Sequence, residues 1–165
     1  MKLKHIIERE ICLFFGRPRY LAIPCVLALC IGLVTWISSE GIGIVWRLTK
    51  HPPFAPPLWL LFIMWAAAYI LFGVIIAYSV ICGLKNAISL STVVSYFAAL
   101  FWCPIMLTAG AGICAVCTLC LSAVYLFRTV SVIWRYSILT TLSAVLIIVF
   151  EIYMVCFSIG CAFLN

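Results

Sequence analysis

WRLTKHPPFAPPLWLLFIMWAAAYILFG, residues 46–73, decides how the rest of the chain is read. Pro52, Pro53, Pro56 and Pro57 stand in a short junction between polar and apolar sequence. Proline lacks the N–H and clashes with the preceding turn, so this junction interrupts any helix. It reads as a stiff connector that ends one element and launches the next, with Pro57 placed where a first-turn proline is tolerated. A long apolar run follows. In it Trp65, Tyr69 and Gly73 recur every four residues, which puts them on one helix face. A rigid loop beside an aromatic helix face predicts a lid over an apolar pocket.

The composition fixes the medium. Of 165 residues, 68% are hydrophobic and 8% are charged, against about 25% charged in a soluble domain. The surrounding solvent is therefore lipid. The length suits one domain of about five spans, each needing about 20 residues. The expected spans are residues 20–38, 58–82, 87–108, 112–130 and 137–163. The apolar run from Leu21 to Ile37 is longer than a signal-peptide core and no small-x-small site follows it cleanly, so residues 1–38 read as a retained first span. Residues 1–19 form an interfacial segment. Within it Ile7, Ile11, Phe14 and Phe15 are spaced for a short amphipathic helix, and Arg17-Pro18-Arg19 ends it. Residues 39–57 are the long, proline-rich lid loop. Lys85-Asn86 and Thr108–Gly112 read as turns.

The net charge of +6 does not indicate nucleic-acid affinity. Five cations, Lys2, Lys4, Arg9, Arg17 and Arg19, precede the first span, where orientation charges belong. A cytoplasmic N-terminus places eight of the ten cations inside, with only Arg47 and Lys50 outside. Five spans then place the C-terminus on the opposite side of the membrane, and the proline loop faces away from the cytoplasm.

The proline loop and the apolar run after it resemble the translocator protein/tryptophan-rich sensory protein family, also called peripheral benzodiazepine receptors. The likeness lies in Pro52, Phe54, Ala55, Pro56, Pro57 and Trp59, then Trp65, Tyr69 and Gly73 without a gap. Trp102-Cys103-Pro104 is similar to the family's W-S-P in the third helix. Trp134-Arg135 falls at its aromatic-basic start of the last helix. The resemblance departs at Phe97–Leu100, where the family has an asparagine. It departs again in the last helix, where Leu146, Ile147, Phe150, Tyr153, Met154, Phe157 and Ser158 replace P-Y-x-x-W and F-A-x-x-L-N. Phe150 keeps aromatic surface there but has no indole N–H. The resemblance implies a five-helix bundle, often a homodimer, with a cavity under the first long loop. It implies ligands such as porphyrins, haem-related tetrapyrroles, sterols and aromatic drugs, with roles in transport, sensing or photo-oxidative porphyrin breakdown.

The candidate ligand-binding residues are Trp65, Tyr69, Trp102, Phe62, Phe150, Trp59, Pro56, Pro57, Lys50, His51 and Glu151. A flat aromatic ligand stacks on Trp65, and the Tyr69 hydroxyl offers a directional contact. Helix packing explains the same spacing without a ligand, and Gly73 reads as a close helix contact. Trp36 and Trp134, near span ends, read as members of an aromatic belt. Trp46 and Trp59 flank the prolines and divide between belt and lid. Lys50 and His51, with Arg47 close by, suit porphyrin propionates or anionic headgroups. His51 is also a conceivable axial ligand to haem iron, against the ordinary reading of a solvated loop histidine.

Glu151 is the sharpest anomaly, since it sits mid-way along the last apolar run. A carboxylate at bilayer depth is costly unless paired or protonated. It reads either as a proton-linked or ligand-contacting group, or as a neutral acid bonded to Ser, Thr or Tyr on another span. Cys114, Cys117 and Cys120 imitate a metal spacing, but they lack a fourth ligand and lie mid-helix, so they read as packing residues.

The leading expectation is a membrane receptor or carrier without a required cofactor. It binds a tetrapyrrole or sterol-like ligand, and a porphyrin or haem is its candidate bound group. A proton-linked transporter using Glu151, a porphyrin-degrading enzyme and a structural membrane protein are the rivals. The sequence carries no Ser-His-Asp set, paired carboxylates, phosphate loop or metal cluster, so no catalytic residue is assigned. The expected partners are the lipid bilayer and a second copy of the chain, not nucleic acid.

Overall fold

The computed structural model describes residues 8, 12, 16, 18–38, 42–81, 87–107, 112–134 and 136–165. The expected amphipathic helix of residues 2–15, the turns at Lys85-Asn86 and Thr108–Ala111, and Arg135 lie largely or wholly outside them. The described chain is all-helical. Its elements are α1 (Pro18–Ser38), α2 (Ile42–Leu48), α3 (Leu58–Ile81), α4 (Ala87–Leu107), α5 (Gly112–Ile133) and α6 (Ile138–Leu164). Four of them, α1, α3, α5 and α6, are long and apolar enough to cross a membrane, the mark of a multi-pass membrane protein. Within α4, Leu90–Met106 is a shorter apolar stretch.

Helix ends follow local chemistry. Pro18 opens α1, two residues before the expected start, because a first-turn proline has no N–H to lose. Pro57 stands just before α3, and its carbonyl accepts from Leu60 and Leu61 N–H at 2.9 and 3.1 Å. Ser137 caps α6, its hydroxyl accepting from Thr140 N–H at 3.2 Å. The stretch expected as one long loop, 39–57, is not all loop. Ile42–Leu48 makes a two-turn helix carrying Trp46, and among the described residues of this stretch the irregular part is Thr49 to Pro57.

α1 lies along α3, α4 along α5, α5 along α6, and α3 also meets α4 and α6. Each helix turns a helical stripe inward. On α5 that stripe is Ala115, Leu119, Ser122, Leu126, Thr129 and Ile133, all buried. The outer faces carry Ile23, Val26, Leu27, Val34, Val124 and Val149, all exposed, as lipid-facing surface requires. Cys114, Cys117 and Cys120 are exposed on α5. They are not packing residues, because the inward positions belong to the small and branched side chains between them. Cys103 and Cys161 are the buried thiols among those described.

The α1–α3 contact depends on two glycines. A Cβ on Gly73 would sit 2.5 Å from Cys25 Cα and 3.0 Å from the Pro24 carbonyl oxygen. This backbone-on-backbone approach is the close helix contact expected of Gly73. A Cβ on Gly32 would lie 2.1 Å from the Tyr69 ring. Gly43 on α2, by contrast, has open space around it. Gly73→Ala is expected to destabilise the detergent-solubilised protein by about 1–3 kcal/mol. Gly43→Ala is expected to stay within about 0.5 kcal/mol of the parent. Thermal unfolding followed by tryptophan fluorescence checks both.

Candidate functional site

Four of the sequence-derived site residues meet at the centre of the bundle. The Trp65 ring centroid lies 5.3 Å from Trp102 with 27° between planes, 5.0 Å from Phe150 at 78°, and 5.6 Å from Tyr69 at 32°. Three helices, α3, α4 and α6, thus contribute to one aromatic cluster. Trp65, Tyr69 and Trp102 are buried and Phe150 is half-buried. Tyr96 joins edge-on, 5.9 Å from Tyr69. Its hydroxyl donates to the Ala28 carbonyl at 2.6 Å, which ties α4 to α1.

The cluster's polar atoms divide into two sets. Trp102 Nε1 donates to Ser158 Oγ at 2.8 Å, and Ser158 Oγ donates to the Met154 carbonyl at 2.8 Å. A serine at this position therefore keeps a polar contact with the third-helix tryptophan. Trp36 Nε1, Trp65 Nε1 and Tyr69 Oη are buried with no hydrogen-bond partner. Buried polar groups are ordinarily paired, because each unpaired one forfeits its hydration.

Trp36 departs from the belt reading. It is buried, and its ring packs edge-on against Phe62 at 5.4 Å. The signal was present in the sequence, since Ala28, Gly32 and Trp36 fall at four-residue steps, and all three are buried. Phe62 and Trp59 do not join the central cluster. Trp59 is exposed, and Phe62 stands at the α1–α3 surface. Trp134 is exposed at the end of α5, where a belt residue belongs.

The proline loop lies on α6 and is held there at several points. Lys50 N–H donates to Asn165 Oδ1 at 2.9 Å. Asn165 Nδ2 donates back to the Lys50 carbonyl at 3.0 Å and to the Cys161 carbonyl at 2.8 Å. Tyr153 Oη donates to the Phe54 carbonyl at 3.0 Å. Pro52 is buried against Gly160, where a Cβ would come within 3.1 Å of its ring. Pro56 is buried and Pro57 exposed.

His51 is part of this docking. Its ring stacks on Trp46 at 4.1 Å. Nε2 lies 2.7 Å from the Trp46 carbonyl and so must carry the donated hydrogen. Nδ1 then accepts, and it faces Cys161 Sγ at 3.9 Å. Both ring nitrogens are engaged, so this arrangement does not fit His51 as an axial ligand to haem iron. The Lys50 and Arg47 side chains are exposed. Trp46 stacks on Phe157 at 5.8 Å, and Phe157 lies 6.4 Å from Trp102. The loop is thereby joined to the central cluster through one ring.

Glu151 stands apart from the aromatic cluster. It is buried, with Oε1 against Ser122 Oγ on α5. Ser122 and Ser95 exchange hydrogen bonds across α4 and α5, each hydroxyl 2.9 Å from the other's carbonyl oxygen. Ser122 has one hydroxyl proton for two acceptors, the Ser95 carbonyl and the Glu151 carboxyl. A protonated carboxyl resolves this shortage by donating to Ser122 Oγ. Oε2 is buried without a partner. Thr92 and Thr129 continue the polar seam at 3.4 Å. Among the described residues no group of three or more His, Cys, Asp or Glu is placed to hold a metal ion.

Fold and site define an all-helical, multi-pass membrane protein with an aromatic core under a docked proline loop. No family model and no curated protein matches the chain.

The double variant Tyr153→Phe/Asn165→Ala removes the hydrogen bonds that tie Phe54 and Lys50 of the loop to Tyr153 and Asn165. Each lost bond contributes about 1 kcal/mol, so tryptic cleavage after Lys50 is expected to accelerate by about tenfold or more. Mass spectrometry of timed digests reads the rate.

Proposed function

We propose that this chain is a five-span membrane receptor or carrier of the translocator type, with α4 as the fifth span. It takes a hydrophobic aromatic ligand, a tetrapyrrole or a sterol-like lipid, between its helices. The observation that carries the reading is Trp65, stacked on Trp102 and flanked by Tyr69 and Phe150, with its buried indole N–H unpaired. Stacked indole faces suit a flat apolar ligand, and an unpaired donor gives it a fixed orientation. The loop from Thr49 to Pro57 closes the site by its docking on α6. The N-terminus is cytoplasmic because that orientation keeps most cations inside. A homodimer rests on the family resemblance.

Titration of the detergent-purified protein with protoporphyrin IX and haemin tests this, with empty micelles as the control for partition. Saturable binding in the micromolar range, weakened about tenfold or more by Trp65→Phe, is the expected result. Linear quenching that ignores the substitution would remove the tetrapyrrole pocket.

A second reading, proton-linked transport, is favoured by Glu151. Its Oε2 is buried and unpaired, and intramembrane acids are often proton relays. On this reading, protoporphyrin IX uptake into liposomes responds to an imposed pH gradient, and Glu151→Gln abolishes the response. Unchanged gradient-driven uptake by that variant leaves Glu151 a structural bridge between α5 and α6.

A further inference from the structure

Trp36 and Tyr69 meet where α1 lies on α3. The Tyr69 ring rests on Gly32, and Trp36 follows Gly32 by one turn on the same buried stripe. The Tyr69 hydroxyl approaches Trp36 Nε1, but not in the geometry of a formed hydrogen bond, and both atoms are left without a partner. The residues are only 6% and 0% exposed, so neither group is open to its surroundings.

Rearrangement within the pair cannot satisfy both groups. An indole N–H only donates, whereas a phenol donates once and also accepts. If Trp36 turned to donate to the Tyr69 oxygen, the phenolic hydrogen would still lack an acceptor. No carbonyl among the described residues stands within hydrogen-bond reach of either group, and the hydrocarbon of a bilayer supplies no partner of its own. The missing partner is therefore an acceptor, and it comes from outside the chain.

The charge of that acceptor follows from the sequence. α1 beyond Arg19, α3 and α4 contain no Lys or Arg. A carboxylate here would be an uncompensated buried charge. We propose that Trp36 and Tyr69 form a subsite for a neutral carbonyl oxygen on a flat apolar ligand. The subsite rests on the reading of the aromatic core as a ligand site and extends it towards α1. It selects ketones, esters or amides over molecules with a bare hydrocarbon edge. Phe62 packs edge-on against Trp36 with 38% of its surface exposed. It is the side chain that a ligand arriving from the lipid would displace.

Fluorenone and fluorene test the subsite, since they share a flat tricyclic shape and differ by C=O against CH2. Equilibrium dialysis of the purified protein against empty micelles measures both affinities. Fluorenone is expected to bind about tenfold or more tighter than fluorene. Tyr69→Phe keeps the ring and removes the hydroxyl, and Trp36→Phe keeps an aromatic side chain, smaller than indole, and removes the N–H. Each is expected to bring fluorenone to within about threefold of fluorene. Saturable but equal binding of the two probes to the parent protein would overturn the subsite and leave the aromatic core standing. A fluorenone preference that survives both substitutions would overturn it as well. Saturable binding of neither probe would overturn the subsite together with the reading on which it rests. The comparison within the parent protein decides the matter even where a variant fails to fold.

Discussion

The inability of hydrocarbon to hydrogen-bond governs the arrangement. In a bilayer each polar side chain must find its partner inside the protein or remain unpaired at a penalty. The partners found here lie on different helices. Tyr96 reaches the Ala28 carbonyl, Trp102 reaches Ser158, and Ser95, Ser122 and Glu151 join α4, α5 and α6. Hydrophobic burial does not distinguish one apolar helix face from another when lipid is as apolar as leucine. These directional contacts, with the glycine approaches between α1 and α3, do distinguish them. The unpaired donors Trp36, Trp65 and Tyr69 stand out against this pattern because they gather where α1, α3 and α4 meet.

Aromatic rings connect the membrane interior to the loop. From Trp65 the chain of contacts runs to Trp102, then Phe157, then Trp46, with His51 stacked beside it. Phe157 belongs to α6, the same helix that anchors the loop through Tyr153, Gly160 and Asn165. Position of the loop and geometry of the core therefore share one support. A displacement of α6 would be felt at both.

Much of this was legible in the sequence. The helix limits were visible because long apolar runs ended at prolines, glycines and charges. The meeting of Trp65, Tyr69, Trp102 and Phe150 was visible through four-residue spacing and the family resemblance. Other features were hidden for physical reasons. The α2 helix is short, and Gly41 before it and Gly43 within it weaken the helical signal in the sequence. In a chain that is apolar on every side, periodicity does not separate lipid-facing from core-facing positions. That is why Trp36 read as a belt residue and the α5 cysteines as packing residues. The hold of α6 on the loop joins residues 115 positions apart, a pairing no local pattern encodes.

That separation bears on the order in which the molecule is assembled. Synthesis proceeds from the N-terminus, so α1 and α3 are available to pack through Gly73 and Gly32 while the rest of the chain is still being made. The segment from Thr49 to Pro57 emerges early as well, but its dock does not yet exist. Phe150 and Phe157 belong to α6 and Asn165 caps it, so they are made after everything they complete. Closure of the loop and completion of the aromatic core are thus one late event. A nascent chain extending only as far as α5 would present an open aromatic face to the lipid, and insertion of α6 would cover it.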